Sequence, residues 1–347
     1  MREPINNIIK KSIKKLDKKD FKSSMLVKWC PGCGAHFVLD AVAKTFPEIG
    51  YEKDKFVMVS GIGCSSRFPY YVDSYGFHGI HGRANAIATG VKLANPGLSV
   101  WIATGDGDSM AIGGNHFIHI IRRNIDVNIL LFNNQIYGLT KGQYSPTSPL
   151  GSVTKTSPHG TIEHPFNCGA LVLGAQGTFY ARAVDTNIPL MSDIMYEAAR
   201  HDGTSVIEIM QNCVVYNDKA YISFTEKSTR EDNQLIVEHG KPMIFGKNKD
   251  KGIIFDGTNL DVAKIGENEI SEKDILIHDI YSKNAGLRRG LVRMVPPEFP
   301  IVFGVIRAVK SETYDDLMEA QIEHAKKTSP VKNMDDLLNS GDVWDVG

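Results

Sequence analysis

The chain has little cysteine, no long apolar run and almost no net charge. Five cysteines lie unevenly along 347 residues, which is not the pattern of a disulfide framework. A reducing, cytoplasmic setting fits them better, with thiols free to take up metal. No apolar run approaches bilayer-spanning length, so a soluble protein is expected. A formal charge of −1 argues against nucleic acid as the main partner. The basic N-terminal segment KKSIKKLDKKD, from Lys10, lacks the hydrophobic region of a secretion signal. Neither an internal repeat nor a low-complexity tract is present. What remains is ordinary: 42% hydrophobic residues, ample for a core, in a length that suits one large domain with extensions or two domains.

One stretch organises the rest. Gly105 to Asn134 reads GDGDSMAIGGNHFIHIIRRNIDVNILLFNN. The apolar run SVWIA, from Ser99, reads as a buried strand that breaks at Thr104. A helix-patterned segment follows, with Ile112, Phe117, Ile118 and Ile121 apolar and Arg122 and Arg123 closing it. A second strand, Val127 to Phe132, ends in Asn133 and Asn134. Glycines at the first turn let the backbone approach a ligand, and the helix behind them points amides at it. That suits a diphosphate. Asp106 and Asn134 end neighbouring parallel strands, where open α/β sheets bind ligands. Two hard oxygen donors facing a diphosphate suit Mg2+. The competing reading is a Gly-rich turn and an Asn-capped strand of any α/β protein.

GDG followed by NN about thirty residues later resembles the thiamine-diphosphate motif of the enzymes that use this cofactor. IYGLTKGQ, from Ile136, and GIGCSS, from Gly61, narrow the likeness. Together they resemble the β subunit of 2-oxoacid:ferredoxin oxidoreductases, from about Trp29 to Asn217. The resemblance implies a three-layer α/β/α parallel-sheet thiamine-diphosphate-binding fold. It implies that Asp106, Asn134 and the Ile136 carbonyl hold Mg2+, and that Gly105, Gly107 and Asp108 form the turn around the diphosphate. Ile62, Gly63, Cys64 and Ser65 lie where the family's GCS turn touches the cofactor. His81 is expected to hydrogen-bond the diphosphate, and Leu139 and Thr140 to border the thiazolium ring.

Three regions are expected: a basic arm over residues 1–27, a thiamine-diphosphate and iron–sulfur domain over 28–225, and a C-terminal extension over 226–347 that serves subunit contact. Within the domain, Cys30 and Cys33 form a CxxC turn that runs into a helix with one apolar face, Ala35 to Phe46. Strands are expected at Phe56 to Val59, Thr178 to Val184 and Ser205 to Met210, with helices from about Gly82 to Asn95 and Pro189 to Arg200. Phe166 to Gly174 reads as helical or mixed. A Pro-punctuated loop from Gln143 to Pro165 is long enough to be functional and is expected near the cofactor. Strand tips that end in polar or reactive residues fit a parallel sheet with its active edge on the carboxyl side. In the extension, KPMIFGKNKDKGIIFDG from Lys241 reads as a hairpin.

Cys30, Cys33, Cys64 and Cys213 could converge. On spacing alone they suit a [4Fe–4S] cluster or structural zinc equally. The resemblance assigns them to one [4Fe–4S] cluster. Cys168 has no counterpart there and reads as a small buried hydrophobe.

The activity that the resemblance implies is coenzyme-A-dependent oxidative decarboxylation of a 2-oxoacid coupled to ferredoxin reduction, open to reversal. Arg67 and Lys141 are the candidate cations for the substrate carboxylates, and a far-end cation favours a dicarboxylate such as 2-oxoglutarate. No second copy of the cofactor domain is found, so the glutamate that activates the aminopyrimidine is expected on an α subunit, in an (αβ)2 assembly. The competing readings are the same chemistry on pyruvate or a branched 2-oxoacid, a cluster-free thiamine-diphosphate dehydrogenase or carboligase component, and a non-catalytic scaffold.

Overall fold

The computed structural model describes residues 16–344 and Val346, so most of the expected basic arm lies outside the described residues. Its described end is docked. Phe21 is fully buried, edge-on to Phe46 and Phe56 at 5.4 and 5.2 Å.

Six strands run parallel: β1 (Phe56–Ser60), β2 (Tyr75–His78), β3 (Ser99–Gly105), β4 (Asn128–Asn133), β5 (Phe179–Val184) and β6 (Ser205–Met210). Helix α1 (Ala35–Ile49) precedes them, and the helices between them are α2 (Phe68–Tyr71), α3 (Ala84–Ala94), α4 (Gly114–Arg123), α5 (Cys168–Gly174) and α6 (Ile188–Ala199). After β6 come β7 (Gln234–Ile236), β8 (Ile244–Phe245), β9 (Lys251–Phe255), β10 (Leu260–Lys264) and β11 (Ile301–Ala308). The main sheet has the order β2-β1-β3-β4-β6-β5-β11-β7. β11 runs antiparallel to β5, and β7 runs parallel to β11.

The strand sequences are near-continuous apolar runs because both faces are covered. Alternation sorts them: Ile129 and Leu131 join one cluster, Leu130 and Phe132 the other. The first face receives α3, α4 and α5 through Ala88, Phe117, Ile121 and Val172. The second receives α1 and α6 through Val38, Val42, Phe46, Ile194 and Met195. That is the expected three-layer arrangement around a mostly parallel sheet. α1 ends at Gly50, whose φ of 89° is the left-handed conformation that glycine adopts most easily. α6 begins under Asn187, whose side chain accepts the Leu190 amide at 3.2 Å, with Pro189 in the first turn. The expected hairpin is β8 and β9, paired Ile244 to Gly252.

Three features depart from the sequence reading. β2 is an edge strand with all four residues exposed, so it carries no apolar alternation. The helix after GDGD is broken. Asp108–Ile112 is a π-helical turn kinked at Ala111, and α4 restarts at Gly114. The break changes the phase of the helix face: Phe117 and Ile121 are buried, whereas Ile112 is 54% and Ile118 36% exposed. Lastly, the extension from residue 226 is built into the core. β11 and β7 widen the main sheet, and Leu235, Met243, Ile253 and Val292 join the first core cluster.

A buried ion pair crosses the sheet interior. Arg182 on β5 is 3% exposed, and Glu208 on β6 is 2% exposed. Arg182 Nε donates to Glu208 Oε2 at 2.9 Å, and Tyr180 donates to the same oxygen. Asn133 Nδ2 donates to the other oxygen at 2.8 Å. Removing one partner of such a pair strands the other's charge, at a cost of about 3–5 kcal/mol. Glu208→Leu is therefore expected to lose about that much in denaturant unfolding. The double variant Arg182→Met with Glu208→Leu is expected to recover much of the loss.

Candidate active site

The strand register creates the site. Gly105 pairs with Phe132 across β3 and β4, and Asn133 pairs with Met210 across β4 and β6. Continued past the tips, this register sets Asp106 level with Asn133, and Asn134 level with Gln211, at one edge of the sheet. A pocket of about 470 Å3 opens there. Every cofactor-contact candidate from the sequence lines it: Ile62, Gly63, Cys64, Ser65, His81, Gly105, Asp106, Gly107, Asp108, Asn134, Leu139 and Thr140. Ile136 lines it too, as do Phe132, Tyr137, Gly138 and Gln143, which the sequence reading did not single out.

Asp106 is 2% exposed. Ser145 Oγ donates to its Oδ2 at 2.6 Å. Thr147 Oγ1 lies 2.5 Å from the same oxygen and 2.9 Å from Asn133 Oδ1, one donor between two acceptors. Both hydroxyls come from the Pro-punctuated loop, which carries no regular structure and folds onto the carboxylate. Burial raises the Asp106 carboxyl above its ordinary value, against the lowering effect of these hydrogen bonds. None of those partners is a cation. A buried carboxylate at a pocket wall with no protein counter-charge fits a divalent cation. Asn134 is oriented by its neighbours: its Oδ1 accepts the Ile136 amide at 3.2 Å, and its Nδ2 donates to Gln211 Oε1 at 3.0 Å.

Asp108 ties the pocket wall together. Its Oδ1 accepts the Ile62 amide (3.1 Å), the Gly82 amide (2.7 Å) and His81 Nδ1 (2.7 Å). Its Oδ2 accepts Thr104 Oγ1 at 2.8 Å. The aspartate thus acts as an internal clamp and holds His81 at the pocket. Gly107 has a separate reason to be glycine, since a Cβ there would enter the Tyr137 ring. Tyr137 Oη in turn donates to the Gly107 carbonyl at 2.9 Å. Residues 137–143 close a tight loop through the Tyr137 and Gln143 main chains.

The substrate candidates sit apart from this lining. Arg67 Nε donates to Tyr71 Oη at 2.6 Å, and its guanidinium lies over the Tyr70 and Tyr71 rings. Its charge acts on Cys64, lowering that thiol against the upward effect of burial. Lys141 is exposed, with φ 78°, one residue beyond Thr140.

The four cysteines of the expected cluster lie near enough for Cys30, Cys33 and Cys213 to act electrostatically on Cys64. All are free of disulfides; Cys33 and Cys213 are buried, Cys64 is partly buried and Cys30 is exposed. Burial pushes the Cys33 and Cys64 thiols up to about 11; Cys30 and Cys213 add to both shifts, and Cys33 adds to that of Cys64. Gly138 shows how close the quartet comes to the pocket. A Cβ there would lie 3.5 Å from Cys213 Sγ and 3.7 Å from Cys64 Sγ. Among the described residues, no three His, Cys, Asp or Glu side chains are gathered as ligands of a single ion. Cys168 is elsewhere, fully buried in the first core cluster.

A pocket at the carboxyl ends of parallel strands, with a buried carboxylate and glycines at the turn, defines a thiamine-diphosphate-binding protein. The family described as thiamine pyrophosphate enzyme, C-terminal TPP binding domain, matches residues 61–209. The chain is 45% identical over 331 residues to 2-oxoglutarate oxidoreductase subunit KorB of Mycobacterium tuberculosis, covering 94% of this chain and 88% of that one. It is 46% identical over 185 residues to 2-oxoglutarate synthase subunit KorB of Archaeoglobus fulgidus, covering 53% of this chain and 69% of that one. Its fold matches 2-oxoglutarate:ferredoxin oxidoreductase from Magnetococcus marinus, solved with 2-oxoglutarate, coenzyme A and succinyl-CoA bound. That match has a TM-score of 0.76 and 30% identity, over 96% of this chain and 98% of that one. The chain belongs to the 2-oxoacid:ferredoxin oxidoreductase β subunits, and so is an oxidoreductase subunit of a hetero-oligomer.

Ser145, Thr147 and Gln211 were not legible as site residues. The only available signal was the run of hydroxyls in SPTS after Tyr144. Gly107→Ala should displace the Tyr137 ring at an overpacking cost of about 1–3 kcal/mol. Weaker thiamine diphosphate binding by calorimetry, with unchanged far-UV circular dichroism, is the expected result.

Proposed function

We propose that this chain is the β subunit of a 2-oxoglutarate:ferredoxin oxidoreductase, which converts 2-oxoglutarate and coenzyme A to succinyl-CoA and carbon dioxide and passes two electrons to ferredoxin. The observation that carries the reading is the pocket wall at Gly138, where Cys64 also lines the pocket and a Cβ at 138 would lie within 4 Å of the Cys64 and Cys213 sulfurs. Electrons released in the pocket would have a short path to the sulfurs. The choice of 2-oxoglutarate rests on the names of the relatives and on the ligands of the structural neighbour.

When bound, thiamine diphosphate supplies the electron sink for decarboxylation, and a [4Fe–4S] cluster takes electrons singly. The chain's own residues divide the remaining work. Asp106, Asn134 and the Ile136 carbonyl hold Mg2+. Gly105 and Gly107 give the diphosphate close approach to the main chain, and His81, steadied by Asp108, faces it. Leu139, lining the pocket yet 51% exposed, offers an apolar surface to the thiazolium ring beside Thr140. Lys141 meets a substrate carboxylate at the mouth. Arg67 acts on the sulfur side, where its charge favours the Cys64 thiolate.

Cys30, Cys33, Cys64 and Cys213 hold the cluster. The choice of a cluster over structural zinc, which four thiolates suit equally, rests on the likeness to the family's β subunits. The pyrimidine-side glutamate comes from an α subunit, in an αβ pair that dimerises.

Anaerobically purified protein is expected to be brown, with about four irons per chain and visible absorption that dithionite bleaches. Colourless protein with one zinc per chain would overturn the redox half of the reading. With its α partner, the chain is expected to turn over 2-oxoglutarate in preference to pyruvate. Turnover by the chain alone would contradict the subunit assignment.

A further inference from the structure

Gln211 follows β6, is 2% exposed and touches both halves of the site. Its Oε1 accepts Asn134 Nδ2 at 3.0 Å. Its Nε2 donates to Cys33 Sγ at 3.1 Å and to the Asn212 carbonyl at 3.0 Å. Main-chain groups fix the orientation of both amides. The Asn212 carbonyl can only accept, so the glutamine nitrogen faces it. The Ile136 amide can only donate, so the Asn134 oxygen faces it at 3.2 Å. Flipping either amide would put like groups together in a buried place, where an unmade hydrogen bond is costly. Gly34 makes room for the arrangement, since a Cβ there would stand 2.9 Å from the glutamine stem.

We infer that Gln211 is a positioning residue that couples the two cofactor sites. It turns the Asn134 oxygen toward Mg2+, and it donates an N–H to the Cys33 sulfur of the cluster. The inference rests on the assignments of Mg2+ and cluster proposed above. Its physical content is separate. An N–H aimed at a cluster sulfur stabilises the more negative, reduced state and raises the reduction potential. An amide held on its nitrogen side keeps its oxygen in ligand geometry before the metal arrives. One side chain thus sets both how firmly the diphosphate's metal is held and how readily the neighbouring cluster is reduced.

The test compares wild type, Gln211→Met and Gln211→Glu as anaerobically purified full chains. Iron per chain, the cluster midpoint from a potentiometric EPR titration, and Mg2+ affinity in saturating thiamine diphosphate are measured at pH 8. Gln211→Met removes both contacts at similar volume. It is expected to keep its iron, to weaken Mg2+ binding about tenfold, and to shift the reduction equilibrium about tenfold, about 59 mV lower for one electron. Gln211→Glu keeps an acceptor for Asn134 but loses the donor to sulfur. Retained Mg2+ affinity with a midpoint at least as low is expected. An unchanged midpoint in both variants, or a Gln211→Met shift in only one of the two quantities, overturns the coupling. A wild-type chain without the cluster signal overturns the proposed function itself, and the coupling with it.

Discussion

The register of β3, β4 and β6 is the constraint on which the site depends. Parallel strands place every carboxyl tip on one edge, and their pairing decides which tips are neighbours. Because Gly105 faces Phe132 and Asn133 faces Met210, Asp106 falls level with Asn133, and Asn134 one residue further on falls level with Gln211. A slip of one residue in any of these pairings would send alternate side chains to the opposite face. Asp106 would then lose its place beside Asn133 and the Thr147 hydroxyl that lies between them. Both faces of the sheet are packed with large side chains, including Trp101 and Phe132 on one and Ile102 and Leu131 on the other. The core that stabilises the chain therefore also fixes the spacing of the strand-tip residues.

Polar contacts carry that precision from the interior to the pocket. From Arg182 the chain of contacts runs through Glu208 and Asn133 to Thr147 and Asp106. Each member is buried, so each hydrogen bond is made in a medium of low dielectric, where an unsatisfied group is expensive and an oriented one stays oriented. The charged pair at the inner end is weak evidence for stability. Its clearer consequence is geometric. Glu208 takes the Asn133 amide nitrogen, which presents the Asn133 oxygen to Thr147 beside the Asp106 carboxylate. The second asparagine of the pair is oriented from the other side, by Gln211. The two adjacent asparagines thus perform different tasks: Asn133 bonds only within the interior, and Asn134 lines the pocket.

Much of this was legible because the signals are local. GDGD and NN mark strand tips by composition, and the apolar runs before them admit little besides buried strands. The parallel sheet was readable from apolar strands with polar tips, and its three layers were implied by the family resemblance. Other elements were illegible for identifiable reasons. β2 lies exposed at an edge and has no apolar stripe to detect. β11 contains Gly304 with φ 115° and a register shift between Val305 and Arg307, so its pattern is interrupted. A Cβ at residue 304 would stand 2.5 Å from the Val237 carbonyl, a contact made across 67 residues that no window of sequence contains. The π-helical turn at Asp108–Ile112 shifts the helix phase because Asp108 is pulled toward Ile62, His81 and Gly82.

The same distinction applies to the ligands and their supports. A metal ligand must be of one chemical type at one place, so the proposed ligands Asp106, Asn134 and the cysteines could be picked out by identity and spacing. A supporting residue needs only to offer a hydrogen bond from wherever the fold brings it. Ser145 and Thr147 reach Asp106 from about forty residues away, and Gln211 reaches Asn134 from farther still. A serine in a loop or a glutamine after a strand is commonplace in sequence. It becomes informative only when its partners are known. Gln211 is the sharpest case, because its two ends touch Asn134 and Cys33, residues distant in the chain and unlike in chemistry. Their separation is set by the span of one amide side chain.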